Sequence, residues 1–188
     1  HGMREMLVEQ RDVFYYITLM NENQAQPDLP DGAAEGVLRG AYRFKSLGDP
    51  LAPHAVTLLG SGAILAEVIK AAEQLAADGL HVDVISVTSW SELARDGQAW
   101  QQRALQGQPT GAEPWVTQLL ANTRGPLVAA TDYVCAVPDS VRAFVPADRR
   151  YLTLGTDGFG RSDTRAALRQ FFGVDAAAVV RAAHHLTR

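Results

Sequence analysis

The sequence predicts an α/β protein, an open and mostly parallel sheet with helices on both faces. Three observations carry that prediction. The buried-strand run Ala55–Leu59 is broken by Gly60-Ser61-Gly62 and then followed by a helical apolar stripe of Ile64, Leu65, Val68, Ile69, Ala72, Leu75 and Ala76. A second strand run, His81–Val87, comes next, so strand, helix and strand succeed one another as a right-handed βαβ unit. Short strand runs at Leu127–Ala130 and Tyr151–Leu154, set between helix-forming stretches, continue the alternation.

The remaining elements follow in order. Met3–Asp12 mixes charged and apolar residues at helical spacing and predicts a short helix. Val13–Met20 is β-branched and aromatic without polar alternation, which predicts a strand buried on both faces. Asn21–Gly36 is polar and carries Pro27 and Pro30, so it reads as an extended connector and the best domain boundary. Val37–Phe44 alternates and predicts the first strand of the next domain, with a turn at Leu47–Pro50. Ser61 or Gly62 is placed to cap the 64–76 helix, and Asp78-Gly79 to end it. Ser89–Gln106 holds helix formers split by Asp96-Gly97, and Trp115–Ala121 predicts a short helix. Asp132 is placed to cap a helix running towards Phe144, Ser162 or Asp163 one through Phe172, and Asp175 the last.

The 188 residues are 47% hydrophobic and 20% charged, the balance of a globular domain and not of a disordered tail or disulfide-stapled miniprotein. With 17 basic against 21 acidic residues the net charge is −4, so no global attraction draws the chain to nucleic acid. The single cysteine, Cys135, lies in an apolar run and reads as a buried, inert thiol. No run approaches the ~18 apolar residues of a membrane span, and no signal peptide opens the chain. The expectation is a cytoplasmic protein with no membrane contact. Residue 1 is His, which reads as a tag scar before Met3 or as a piece of something longer.

Two loops at strand ends could hold a ligand. Gly60-Ser61-Gly62 stands at a helix start, where free N–H groups attract anions. It lacks the third glycine of a dinucleotide loop, Leu65 standing there, and no Lys follows for a phosphate loop, so a tight turn is the plain reading. The loop Gly155–Asp163 carries Asp157, Arg161, Ser162 and Asp163 among three glycines. It reads as a small-anion site through Arg161, or as a rigid turn or interface in which Asp157 and Asp163 cap helices and Arg161 pairs with one of them. The histidines have no ligand-spaced partners for a metal, and no G-x-S-x-G elbow is present. Trp90, Trp100 and Trp115 read as core anchors, with an interface as the alternative.

Four strings then acquire a common meaning: Val13–Asn23 (VFYYITLMNEN), Leu58–Gly62, Ser86–Ser89 with Glu92–Gly97, and Tyr151–Asp163 (YLTLGTDGFGRSD). Together, and in this order, they resemble the C-terminal portion of the homodimeric bacterial pyruvate dehydrogenase E1 component. The resemblance implies that residues 1–36 end a pyrimidine-type domain plus connector, and that 37–188 form a transketolase-type C-terminal domain. It implies a longer parent that uses thiamine diphosphate and Mg2+ to decarboxylate pyruvate and pass the acetyl group to a lipoyl-bearing E2 acyltransferase. The implied partners are the remaining E1 domains and a second E1 subunit. The family's metal motif, Gly-Asp-Gly followed by Asn-Asn, is absent: Thr156-Asp157-Gly158 is the nearest string, and Asn21, Asn23 and Asn122 are the only asparagines. No catalytic or cofactor residue is therefore expected in this chain, whose role is structural and dimer-supporting. A departure is Gln24, where the family commonly has Tyr. The alternative is a regulatory α/β module that binds a small anion or nucleotide.

Overall fold

The computed structural model describes residues 1–20 and 26–188. In chain order the elements are α1 (Gly2–Leu7), α2 (Ala34–Leu38), β1 (Ala41–Leu47), β2 (Ala55–Ser61), α3 (Leu65–Ala77), β3 (His81–Val87), α4 (Trp90–Leu105), α5 (Trp115–Ala121), β4 (Leu127–Ala130), α6 (Ala136–Asp139), β5 (Tyr151–Leu154), α7 (Arg165–Phe172) and α8 (Ala176–Thr187). Single 3-10 turns precede α3 at Gly62–Ile64 and follow α6 at Arg142–Phe144.

The strands pair in the order β1-β3-β2-β4-β5. All neighbours are parallel except β1, which runs antiparallel to β3 with a register shift between Arg43 and Lys45. β2 is buried along its whole length, as its unbroken apolar run demands of a central strand. Alternate residues then divide between two cores. Val56, Leu58, Val82, Val84 and Val128 meet α3 and α8 on one face, while Leu59, Ile85, Leu127 and Ala129 meet α4 and α5 on the other. Each fully buried Leu or Val here contributes about 1.5–3 kcal/mol.

Two polar ties hold the layers. Glu67 of α3 is buried and accepts from Arg169 Nη1 of α7 at 3.2 Å and from the Ala176 amide of α8 at 3.2 Å. At the amino edge of the sheet, Arg149 donates to Thr57 Oγ1 and Thr123 Oγ1 (2.7 Å each), and to the carbonyls of Leu120 and Arg124 (3.0 Å each) and Gly125. Gly125 itself, at φ +74°, turns the chain into β4; a Cβ there would stand 1.9 Å from the Ala55 carbonyl oxygen.

Several elements differ from expectation for physical reasons. Val13–Met20 is exposed and in no regular element instead of a buried strand, because no described strand lies beside it to take its hydrogen bonds. The polar segment 21–24, Gln24 included, lies outside the described residues. Val37 and Leu38 close α2, and the alternating strand begins at Ala41 and runs on through Leu47. α4 passes through Asp96-Gly97 without a break, since Gly97 is where the helix meets the ring of Phe144. The predicted helix from Asp132 to Phe144 shrinks to α6 and a 3-10 turn; its start is Cys135, not Asp132. Cys135 is accordingly only half-buried. Thr164 caps α7 in place of Ser162 or Asp163, its hydroxyl accepting from the Ala167 amide. Asp175 caps α8 as its position predicts.

Candidate functional site at the carboxyl edge of the sheet

Parallel strands put their carboxyl ends on one edge, and ligands of open α/β sheets bind where neighbouring strands send their connections in opposite directions. Here β2 leads to β3 on one side and β4 to β5 on the other, so the switch point lies between Ser61 and Thr131. Buried Ser61 does not cap α3. Its Oγ donates to Thr131 Oγ1 at 2.8 Å, which ties the two strand ends together. Thr131 Oγ1 also accepts from the Tyr133 amide at 3.2 Å.

The loop after β5 docks on the loop after β4. The Thr156 amide donates to the Tyr133 carbonyl at 2.9 Å, and the Thr156 hydroxyl to the Asp132 carbonyl at 2.7 Å. Asp157 Oδ1 accepts from the Cys135 amide at 3.0 Å and so caps the start of α6 from 22 residues away. Burial, with a hydrogen bond and the charge of Asp157, pushes the Cys135 thiol above its ordinary pKa, which keeps it protonated and slow to react.

The edge therefore brings Ser61, Gly62 and Asp157 around one central segment, 131–135, while Gly60 pairs with Ala130 of β4 and packs on Leu65 and Val68 of α3. Thr131, Asp132 and Thr156 complete the network, and the sequence reading missed them as members. Their signal was position: Thr131-Asp132 follow a predicted strand directly. Asp132 also changes the electrostatics. Its carboxylate lies 3.6 Å from where a Cβ of Gly62 would be, so negative charge already stands beside the turn.

Arg161, Ser162 and Asp163 lie further out, beside α7. Asp163 Oδ1 accepts from the Thr164 amide at 2.6 Å. Arg161 pairs with neither aspartate; its guanidinium lies 4.5 Å from the centre of the Phe171 ring, over an open cleft of about 490 Å3 lined by residues 160–163 and α7. Of the tryptophans, Trp90 is buried in the core beside Leu93, and Trp115 donates through Nε1 to the Ala41 carbonyl at 2.8 Å under the guanidinium of Arg39. Among the described residues, no three His, Cys, Asp or Glu side chains gather as a metal would need, and no helix is long and apolar enough to cross a membrane.

The family model of the transketolase-like TK C-terminal domain matches residues 40–175. The chain belongs to this family. The match begins at the foot of β1, so the whole sheet of this transketolase-like domain lies within it. Similarity to curated proteins reaches further. The chain is 48% identical over 185 residues to the pyruvate dehydrogenase E1 component of Pseudomonas aeruginosa, covering 97% of this chain and 21% of that protein. It is 49% identical over 185 residues to that of Haemophilus influenzae, covering 97% and 20%. The chain thus spans about a fifth of the length of these relatives. A transketolase from Leishmania mexicana shares the fold, with a TM-score of 0.53 at 23% identity over 84% of this chain and 20% of its own.

Proposed function

We propose that this chain serves as the C-terminal domain of a pyruvate dehydrogenase E1 component, supporting the fold and the subunit contacts of a larger enzyme. The single observation behind this reading is the 48–49% identity that runs through 97% of the chain. In this reading residues 1–36 finish a preceding pyrimidine-type domain with its connector, and 37–188 are the transketolase-type domain. The whole enzyme is cytoplasmic. It removes carbon dioxide from pyruvate and passes the two-carbon unit to the lipoyl dithiolane of E2, which leaves it as an acetyl thioester with one free thiol. A second E1 subunit and the lipoyl-bearing E2 are the proposed partners.

Thiamine diphosphate, held by Mg2+, supplies the electron sink of that reaction when bound. The residues of this chain do not fit that group. Asp157 is committed to the Cys135 amide and Asp163 to the Thr164 amide, and among the described residues no three His, Cys, Asp or Glu side chains gather around either. The chain's own residues hold and orient a scaffold instead: Ser61 and Thr131 tie the switch point, and Glu67 and Arg149 tie the layers.

Two measurements test the reading. The complete reading frame that encodes this chain, purified with thiamine diphosphate and Mg2+, is expected to turn over pyruvate with an artificial electron acceptor; no turnover refutes the assignment. Titration calorimetry of the 188-residue chain with the same cofactors is expected to show no heat of binding, and micromolar binding refutes the scaffold role. A second reading, a small-anion module, draws on Arg161, which among the described residues is engaged only by the Phe171 ring. A phosphate-induced rise in Tm abolished by Arg161→Ala would favour it.

A further inference from the structure

The exposed segment Val13–Met20, an arm ahead of the sheet, and the carboxyl edge form one surface. Phe14, Tyr16 and Met20 alternate with Val13, Ile17 and Leu19 along the arm, so both of its faces are apolar, the pattern of a strand inside a covered parallel sheet. No backbone group from Phe14 to Met20 pairs with a described strand, and Leu19 is 88% exposed. The arm is not loose from the domain: Thr18 Oγ1 lies 3.4 Å from the hydroxyl of Tyr133, at the centre of the edge network. From Tyr133 the contacts run on through Thr156 to the loop that carries Phe159, which is 95% exposed. Apolar surface of this extent on a folded chain marks a contact with another protein surface.

We infer that the carboxyl edge of this sheet is covered, in the assembled protein, by the α/β domain whose sheet takes Val13–Met20 as a strand. The occupant follows from geometry. Whatever sheet pairs with the arm must lie along it, and the arm lies against Tyr133. That domain therefore sits on the edge where a free-standing α/β protein would bind its ligand, and Phe159 is a plug at the joint. The amino edge carries its own exposed leucines, Leu51 (87%) and Leu105 (83%), but no arm. The inference leaves them in solvent. The inference rests on the proposed membership of a longer E1 chain.

Hydroxyl-radical footprinting of the full-length enzyme tests it. After correction for intrinsic reactivity, Phe159 and Tyr133 are expected to label about tenfold more slowly than Leu51 and Leu105, as interface cores do against free surface. Phe159→Asp in the full-length protein is expected to expose the arm to labelling, and Leu51→Asp to leave it unchanged. Equal labelling of Phe159 and Leu51 overturns the inference. So does protection that vanishes when the subunits are diluted apart, because the occupant is then a second copy. An enzyme that lacks pyruvate turnover but keeps the protection refutes the E1 reading alone.

Discussion

Gly97 of α4 lies against the ring of Phe144, so close that a methyl group on its α-carbon would stand 2.3 Å from Cδ2. In an exposed helix interior, Gly→Ala stabilises by about 1 kcal/mol. Here the sign is reversed. Gly97→Ala is expected to lower the unfolding free energy by about 1–3 kcal/mol, the usual cost of overpacking a core. Phe144→Leu added to it is expected to restore part of the loss in urea unfolding. Equal stability of Gly97→Ala and wild type would contradict the contact.

Glu67 makes stability depend on acid. Burial alone would raise its carboxyl, but hydrogen bonds from Lys70 and the Ala176 amide, with the charges of Lys70 and Arg169, outweigh burial and hold the pKa below the ordinary 4.5. A carboxyl depressed in the folded state stabilises fully above its unfolded pKa and loses that contribution as pH falls through the folded one. The wild-type Tm should therefore drop as pH falls below about 4.5, and Glu67→Gln should flatten that drop. At pH 7 the variant is expected to be less stable by about 1.5–3 kcal/mol, the worth of hydrogen bonds to a charged group.

Among the described residues Arg149 has no carboxylate within hydrogen-bonding distance; its donors go to hydroxyls and carbonyls at the amino edge. Removing it strands those acceptors. Arg149→Ala is expected to cost about 3 kcal/mol, and Arg149→Lys nearly as much, because an ammonium cannot span the same fork. Guanidinium chloride unfolding of both variants measures this, and a lysine variant as stable as wild type would disprove the fork.

Cys135 is expected to be alkylated by iodoacetamide at pH 8 more slowly than glutathione, since its raised pKa leaves less of it as thiolate. Asp157→Asn removes the charge that helps to raise the thiol and should speed the reaction. An unchanged rate would show that burial alone governs it.

The unit from Ala55 to Val87 was legible because its signals are local: a run of strand formers, a glycine break and apolar offsets of three and four all lie within one βαβ unit. Trp115–Ala121 was legible for the same reason, and the structure reproduces its bounds. The arm showed its apolar character in sequence but not its state, because a strand needs a neighbour and none of the described strands is one. Around α7 three adjacent residues could cap, and it is Thr164, not Ser162 or Asp163, that accepts from the Ala167 amide. The candidate site was half visible. Ser61 and Asp157 stood out by their loops, but the bond from Ser61 to Thr131 joins residues 70 apart, and no spacing rule links them. The resemblance to E1 components rested on long strings, which survive where single motifs fail.

The turn at Gly125 limits what evolution or a library can do with this domain. With φ at +74° and the Ala55 carbonyl oxygen 1.9 Å from any added Cβ, no side chain fits, and Arg149 donates to the carbonyl of the same residue. Randomising positions 124–126 and sorting for folded protein should return every codon but glycine as a failure at 125, while its neighbours drift.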